Sequence, residues 1–359
     1  SSQGDSVQHG ITSSGAASRS CEATYSSTLP GSSMASGNKR AREDDSGTDA
    51  TEVAFVGLGA MGGHLARHLH AHSQAQLGCP ALVWNRSPEK AQEHAQAHGT
   101  VAVGTLAELS RCGVLCLCLP TTAHVEKVLD EVPLRPGSLV IDCTSGDPEQ
   151  TRALADRLLA DRGVRFVDAP VSGGPKGAAA GAVTSMVGGA LADVERASPI
   201  ISAWSKKVVH CGPVGAGDAT KSINNVLNSA HLLLATEGML ALKRYGVDPA
   251  TALEAINGGS GMSLQTTRLP DNVLSGKFAY GFALGLMRKD CSIAGSLVAS
   301  QTPSATLIPR VVELVGEAEA AFGAEADYTQ IAQLLESRAG LTLGGGEPAE
   351  AAGSRQPPA

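Results

Sequence analysis

Short apolar runs alternate with helix-like segments between residue 53 and about residue 212. Each run has the length of a strand and is bounded by turn residues, so it predicts a β-strand. Strands that alternate with helices predict a mainly parallel sheet. The predicted strands are Val53–Val56, Ala81–Trp84, Val114–Leu119, Ser138–Ile141, Val164–Asp168, Val183–Val187 and Lys207–His210.

Strand-like patterns largely stop after Gly217, and the remaining pattern is helical with short breaks. Asp218 is predicted to cap a long helix that runs to Tyr245, with Gly246 as its C-terminal stop. Asp248-Pro249 opens the next helix. The chain therefore predicts an α/β region followed by an all-helical region, and the long helix begins where the sheet ends.

The two ends of the chain have a different composition. The first 50 residues are rich in Ser, Gly, Thr and Ala and lack apolar periodicity, which predicts disorder. Within them, the basic patch from Lys39 to Arg42 reads as a solvated charge cluster or as a nuclear-localisation fragment, and the segment as a transit sequence or a simple tail. These alternatives stay open. The C-terminal tail is predicted to be loose.

Composition excludes several classes of function. A formal charge of −7 argues against general nucleic-acid binding, and an aromatic content of 3% makes a base-stacking surface improbable. No apolar run approaches the ~20 residues that span a bilayer. The 8 cysteines are scattered without a C-x-x-C pair, which predicts buried thiols in a reduced, intracellular protein and no metal site. Mitochondrial and cytoplasmic locations both remain open.

The first strand runs directly into a G-x-G-x-x-G motif that opens a helix. This strand–turn–helix context is typical of a dinucleotide-binding loop. Gly57 permits the tight turn, Gly59 lets the backbone approach a pyrophosphate, and Gly62 lets the helix pack close to the strand. The pyrophosphate then lies at the helix N-terminus. The predicted cofactor-binding residues of this loop are Gly57, Leu58, Gly59, Ala60, Met61 and Gly62.

The end of the second predicted strand carries Asn85, Arg86 and Ser87, with no acidic residue. An NAD site usually offers a carboxylate to the ribose here, whereas an NADP site offers an arginine to the 2′-phosphate. Arg86 has the planar, permanently charged fork that suits a phosphate. The sequence therefore favours NADP, with NAD as the other reading.

Two further motifs suggest a substrate site. Ser172, Gly173 and Gly174 follow a strand end, where a hydroxyl and unobstructed N–H groups suit a carboxylate. Lys221 and Asn225 lie four residues apart at the start of the long helix and therefore share a face. An amine and an amide that project together suit a carbonyl or alkoxide oxygen. Alone, each motif also fits an ordinary turn or a surface lysine.

These motifs occur in a definite order that resembles the β-hydroxyacid dehydrogenase family, which includes 3-hydroxyisobutyrate dehydrogenases and glyoxylate/succinic semialdehyde reductases. The resemblance extends from about Val53 to about Leu335. It implies a Rossmann-like domain and an all-helical domain joined by a long helix. The ordered motifs are Gly57–Gly62, Asp168–Gly174, Met186–Gly189, Gly215–Asn225 and Lys289-Asp290.

The resemblance implies a division into a disordered segment (1–50), an NAD(P)-binding domain (51–213), a helical domain for substrate binding and dimerisation (214–340), and a flexible tail (341–359). Lys221 is then the catalytic lysine and Asn225 orients the substrate. Ser172, Gly173 and Gly174, with Asn224, bind the substrate. The other implied cofactor contacts are Leu119, Pro120, Thr144 and Lys289. Thr144 and Ser145 reverse the Ser-Thr order common in the family, so the resemblance does not identify the substrate.

The sequence thus predicts hydride transfer between NADP, or NAD, and a small β-hydroxy acid or semialdehyde. Lys221 is the general acid or base, and the protein is a homo-oligomer, a dimer or tetramer. One alternative is an NADPH-dependent glyoxylate or succinic semialdehyde reductase. A second is a non-catalytic scaffold of the same fold, which the presence of Lys221 argues against. A decarboxylating sugar-acid phosphate dehydrogenase is disfavoured by the residues that follow Asn225.

Overall fold

A computed structural model describes residues 52–344. Its sheet contains nine strands, most of them buried because their side chains are apolar on both faces. The strands are β1 (Val53–Val56), β2 (Leu82–Trp84), β3 (Val101–Ala102), β4 (Val114–Leu117), β5 (Leu139–Asp142), β6 (Arg165–Asp168), β7 (Val171–Ser172), β8 (Val183–Gly188) and β9 (Ser205–Gly212).

Twelve α-helices accompany the sheet or follow it within residues 52–344. They are α1 (Gly62–Leu77), α2 (Pro88–His98), α3 (Thr122–Glu131), α4 (Pro148–Arg162), α5 (Gly174–Ala179), α6 (Leu191–Ile201), α7 (Ala216–Tyr245), α8 (Pro249–Asn257), α9 (Leu264–Leu269), α10 (Leu284–Gln301), α11 (Leu307–Phe322) and α12 (Ile331–Ala339). Shorter helical turns occur at Leu106–Arg111, Pro270–Leu274 and Tyr328–Gln330. No helix in this described part is long and apolar enough to cross a membrane.

The first six strands are parallel and lie in the order β3-β2-β1-β4-β5-β6. β8 then pairs antiparallel with β6 and β7, and parallel with β9. The strand order reverses between β1 and β4. Ligands of open α/β sheets bind in the crevice at the carboxyl ends of the strands, beside such a reversal. The loops that follow β1, β4 and β5 meet there.

The sheet separates two apolar clusters because successive side chains of a strand point to opposite faces. Phe55 packs with α1 and α6 on one face, while Val56 packs with α3 and α4 on the other. A third cluster fills the helical domain around the middle of α7, which contributes Leu232 and Leu233. The thirty-residue helix α7 therefore belongs to both parts of the structure.

The predicted fold class is confirmed: a mainly parallel Rossmann-like sheet precedes an all-helical region, and α7 joins them. The short strands β3 and β7 were not predicted, because two residues carry no recognisable period. The predicted cap was wrong. Gly215 is the N-cap of α7, and Asp218 lies inside the first turn, where it is buried.

The disorder predicted for residues 1–50 and most of the flexible tail predicted for 341–359 lie outside the described residues. The first residues of that tail, 341–344, pack against the helical domain. Leu343 is buried, its N–H donates to Glu336 at 2.6 Å, and the carbonyl of Thr342 accepts from Lys243 at 2.6 Å.

Candidate active site

The glycine motif forms a loop whose three glycines meet different surroundings. Gly57 has a φ of +95°, and a Cβ there would lie 2.3 Å from the carbonyl oxygen of Cys118. A Cβ on Gly62 would lie 1.9 Å from the carbonyl oxygen of Gly57. A Cβ on Gly59 would meet nothing within 4 Å. The outer two glycines are therefore required by packing, whereas Gly59 lies beside open space at the start of α1.

This open space fits a dinucleotide pyrophosphate. Gly59 and Ala60 are exposed, and no side chain caps the N-terminus of α1, so a phosphate can bind at this helix end without displacing a cap. Leu58 is buried and Met61 is half-buried against the core, which anchors the loop from below.

The end of β2 supports the same loop. Asn85 accepts a hydrogen bond from the backbone N–H of Leu58 at 3.0 Å and donates to the carbonyl of Ser87 at 3.1 Å. Arg86 is exposed and forms no hydrogen bond or ion pair with any residue in the range 52–344. Asn85 thus shapes the loop, while the guanidinium of Arg86 is available to a ligand. Ser87 is exposed at the N-cap of α2.

The loops after β4 and β5 are tied together by Thr144. Its buried hydroxyl accepts from the N–H of Leu119 at 2.9 Å, and its own N–H donates to Asp142 at 2.9 Å. Lys289, on α10, donates to the carbonyls of Pro120 at 3.1 Å and Ser145 at 2.5 Å. Lys289 thereby links the helical domain to both loops that were predicted to line the cofactor.

A chain of hydrogen bonds starts at Lys221, which is only 9% exposed. Its Nζ donates to Oδ1 of Asn225 at 3.0 Å, and Nδ2 of Asn224 donates to the same oxygen at 3.0 Å. Nδ2 of Asn225 donates in turn to Oδ2 of Asp290 at 2.6 Å, and Nζ of Lys289 lies 3.1 Å from the other carboxylate oxygen. The amide of Asn225 is therefore held with its oxygen towards the lysine.

The charge state of Lys221 is set by this environment. Burial lowers the pKa of its amine, because the charged ammonium loses more hydration free energy on leaving water than the neutral amine does. The Asp290 carboxylate raises the same pKa and Lys289 lowers it, and burial is the largest of these effects. A lysine with a lowered pKa can accept and donate a proton near neutral pH more readily than an exposed one.

Two buried carboxylates hold the start of α7 against the sheet. Asp168, at the end of β6, accepts from the N–H groups of Gly215 at 2.8 Å and Asp218 at 2.9 Å. Asp218 accepts from the N–H of Gly146 at 2.9 Å and the hydroxyl of Thr151 at 2.8 Å. Burial, and then the Asp168 carboxylate, raise the pKa of Asp218 well above its usual value. Lys221 is thus positioned one turn beyond a rigid anchor.

The Ser172–Gly174 loop connects β7, which ends at Ser172, to α5, which begins at Gly174. Gly174 has a φ of +65°, and a Cβ on Gly173 would lie 3.1 Å from Val183 Cγ1, so both positions favour glycine. The hydroxyl of Ser172 is half-buried and forms no hydrogen bond within the described chain. The loop therefore offers a hydroxyl without a hydrogen-bond partner in the described chain, beside an exposed Gly173. Substrate binding at this loop stays a prediction.

Sequence reasoning did not find several of these contacts. The bond between Asn225 and Asp290 joins residues on different helices, and the roles of Asp168 and Asp218 depend on how α7 meets the sheet. The available signal for Asp168 was its place at the end of a buried strand. Within residues 52–344, no cluster of three or more His, Cys, Asp or Glu side chains could hold a metal ion.

Comparison with known proteins gives a consistent result. The family profile of the NAD binding domain of 6-phosphogluconate dehydrogenase matches residues 52–212. The profile described as the NAD-binding region of NADP-dependent 3-hydroxyisobutyrate dehydrogenase matches residues 215–335. The two matches follow one another and meet at the start of α7.

Individual relatives match over most of their length. A 2-(hydroxymethyl)glutarate dehydrogenase from Eubacterium barkeri is 30% identical, over 82% of this chain and 98% of that protein. A probable 3-hydroxyisobutyrate dehydrogenase from Mycobacterium bovis is 30% identical, over 80% of this chain and 99% of its own. The structure of the Mycobacterium tuberculosis 3-hydroxyisobutyrate dehydrogenase with L-serine is similar, with a TM-score of 0.71 and 28% sequence identity. The match covers 79% of this chain and 99% of that one.

Proposed function

This chain belongs to the β-hydroxyacid dehydrogenase family, an NAD(P)-dependent group of oxidoreductases, and from that premise we propose that it interconverts a small β-hydroxy acid and its semialdehyde. Lys221 is the general acid and base of this reaction. The observation that carries the proposal is the buried hydrogen-bond chain from Lys221 through Asn225 to Asp290, near the end of α7 that meets the sheet.

The residues of the chain have separate tasks. When bound along the Gly57–Gly62 loop, the nicotinamide dinucleotide supplies or accepts the hydride. In reduction, the ammonium of Lys221 donates a proton to the substrate oxygen. In oxidation, the neutral amine takes the hydroxyl proton. Asn225 holds Nζ through its Oδ1, and Asp290 positions Asn225 by accepting from its amide. The Ser172–Gly174 loop holds the substrate carboxylate.

The identity of the substrate is tested by a screen of purified protein. 3-Hydroxyisobutyrate, 2-(hydroxymethyl)glutarate, glyoxylate and succinic semialdehyde are each offered with both nicotinamide cofactors, and cofactor absorbance is followed. The proposal expects the highest kcat/KM for a β-hydroxy acid or its semialdehyde. Preference for glyoxylate or succinic semialdehyde would favour the reductase alternative, and turnover of none would favour a non-catalytic scaffold.

We propose NADP as the preferred cofactor because Arg86, at the end of β2, has no partner within residues 52–344 and is flanked by Asn85 and Ser87, so no acid adjoins it in the sequence to repel a 2′-phosphate. A charge-assisted pair is worth roughly 1.5–3 kcal/mol, which is about one to two decades of affinity. Arg86→Ala is expected to lower kcat/KM for NADPH by ~10-fold or more and to change that for NADH little. Initial rates with both cofactors measure the effect.

Arg152→Ala is the matched control for Arg86→Ala. Arg152 is an exposed arginine on α4 that pairs with Glu149, so its loss should leave both cofactors unaffected. Higher salt should also weaken the binding of NADPH more than the binding of NADH in the wild type, since the additional contact between Arg86 and the 2′-phosphate is ionic. A wild type that prefers NADH would contradict the assignment to NADP.

The pH dependence should respond to Asp290. Its carboxylate raises the pKa of Lys221, so Asp290→Asn should lower that pKa further while an amide oxygen still accepts from Asn225. The neutral amine then forms at lower pH. Oxidation, which needs the neutral amine, should extend to lower pH, and reduction, which needs the ammonium, should decline at lower pH. Profiles of kcat against pH in both directions measure the shift.

Glu254→Gln removes an exposed carboxylate of α8 in the same domain and should leave both profiles in place. If the profiles of Asp290→Asn move to higher pH or do not move, Lys221 is not the group that titrates in catalysis.

We further propose that the protein self-associates as a dimer or tetramer. Leu227, Leu234 and Tyr245 are exposed on one face of α7, about two and then three turns apart. A second copy of the chain would cover this apolar surface, which is costly to leave in water. Light scattering of the purified protein measures its molar mass in solution and hence its oligomeric state.

A further inference from the structure

Arg268, on α9, carries a half-buried guanidinium without a carboxylate partner in the described part of the chain. Arg157, by contrast, pairs with two carboxylates, those of Glu126 and Asp130. A charge that is partly removed from water without a counter-ion is unfavourable. An anionic ligand would complete this site.

Arg268 is directed by a tyrosine. Its Nη1 donates to the hydroxyl of Tyr280 at 3.0 Å, and its Cζ lies 4.7 Å from the centroid of the same ring. The ring of Tyr280 packs edge-on against the fully buried Tyr328, with 5.3 Å between centroids. The guanidinium is therefore held by a hydrogen bond and a ring that is itself fixed by packing.

The same tyrosine contacts the Ser172–Gly174 loop. A Cβ built on Gly174 would lie 3.3 Å from the hydroxyl oxygen of Tyr280, so this hydroxyl lies directly against the loop. The Tyr280 hydroxyl thus contacts both the guanidinium of Arg268 and the Ser172–Gly174 loop, which is proposed to hold the substrate carboxylate.

The helix that carries Arg268 is also tied to the helix that carries Lys221. Gln265, one turn before Arg268, donates to the hydroxyl of Tyr328 at 2.9 Å and to Oδ1 of Asn228. Asn228 lies on α7, about one turn beyond Asn225. The position of Arg268 is therefore set relative to both the carboxylate loop and the catalytic lysine.

We propose that Arg268 is the helical-domain half of a carboxylate clamp, in which the substrate carboxylate binds between the Ser172–Gly174 loop and the guanidinium. Tyr280 is the positioning residue that holds the guanidinium there. Guanidinium and carboxylate match in shape as well as charge, so a two-point contact is available. This clamp rests on the proposed function and adds a residue that recognises the substrate carboxylate; neutral amides and esters of the same shape should bind more weakly than the acids.

The test measures binding without turnover. Protein saturated with NADPH cannot oxidise an alcohol, so 3-hydroxypropionate and its neutral amide, 3-hydroxypropionamide, are titrated into it by calorimetry. In Arg268→Met the affinity for the acid should fall ~10–100-fold, the scale of a lost charge-assisted hydrogen bond, and the affinity for the amide should not change. Ser172→Ala should also lower the affinity for the acid. The losses should not add in the double variant, because both residues hold one carboxylate.

Arg310→Gln is the matched control, because it removes a guanidinium of α11 that is already paired with Glu313 and Glu317. Melting temperatures verify that each variant folds. If Arg268→Met does not fold, Arg268→Lys and Tyr280→Phe test the clamp instead, and both should lower the affinity for the acid. Lysine lacks the two parallel N–H donors of a guanidinium, and phenylalanine lacks the hydroxyl that holds the guanidinium of Arg268.

The outcomes separate the clamp from the reaction. Arg268→Met that binds the acid as tightly as the wild type overturns the clamp, and so does a wild type that binds acid and amide equally. A wild type that turns over hydroxy acids, with an unchanged KM in Arg268→Met, overturns the clamp and leaves the dehydrogenase proposal standing. Loss of acid binding in Arg268→Met of a protein that turns over no acid supports the clamp and refutes the dehydrogenase proposal.

Discussion

Replacing Lys221 with alanine is expected to lower kcat by ~10²–10⁴-fold, the usual contribution of a positioned general acid or base. In the proposed mechanism the amine of Lys221 is the proton donor, and its hydrogen-bond partner Asn225, 3.0 Å away, cannot take its place because an amide does not titrate. Cofactor affinity should be retained, because the Gly57–Gly62 loop lies on the sheet domain. Steady-state kinetics and a direct cofactor titration measure the two quantities.

Two further variants separate the loss of the amine from other effects. Lys221→Met keeps an apolar stem in the buried site, so it should lose turnover equally without leaving a cavity. Lys206→Ala removes an exposed lysine of β9 and should retain full activity. Melting temperatures should not fall in Lys221→Met, because desolvating the ammonium was unfavourable. Near-normal turnover in a folded Lys221 variant would remove Lys221 from the mechanism.

Gly59→Ala is expected to reduce kcat/KM by ~10²-fold through weaker cofactor binding, the scale of a misplacement of about 1 Å. Gly59 does not have a positive φ, and a Cβ there meets nothing within 4 Å, so the variant should fold normally. The methyl group would instead occupy the space where the pyrophosphate approaches the backbone. Cofactor titration should therefore show a lower cofactor affinity for Gly59→Ala, whereas thermal melting should show an unchanged melting temperature.

Gly62→Ala should behave in the opposite way. Its Cβ would lie 1.9 Å from the carbonyl oxygen of Gly57, so the start of α1 must shift, at a cost of ~1–3 kcal/mol in stability. Gly238→Ala, at an open position in the last third of α7, is the control for adding a methyl group. If Gly59→Ala bound the cofactor as the wild type does, the cofactor would not lie along this loop.

The conformation of the Gly57–Gly62 loop and the shared helix face of Lys221 and Asn225 were predictable because both depend on neighbours in sequence. Glycines two and five residues after Gly57 meet the same turn, and side chains four apart on a helix share a face whatever surrounds the helix. The hydrogen bond between Lys221 and Asn225 is of this kind. The alternation of strands and helices likewise predicted a mainly parallel sheet, since parallel strands need a crossover between them.

What holds these residues in place was decided by tertiary packing. Asp290 meets Asn225 only because α10 packs against α7, and Asp218 bonds to the loop after β5 only because α7 starts at the sheet. The contact of Tyr280 with Gly174 joins segments more than one hundred residues apart. A local sequence pattern predicts the face of a helix or strand on which a side chain lies. It does not predict which distant segment packs against that face, because the packing depends on how all the apolar surfaces of the chain are buried together.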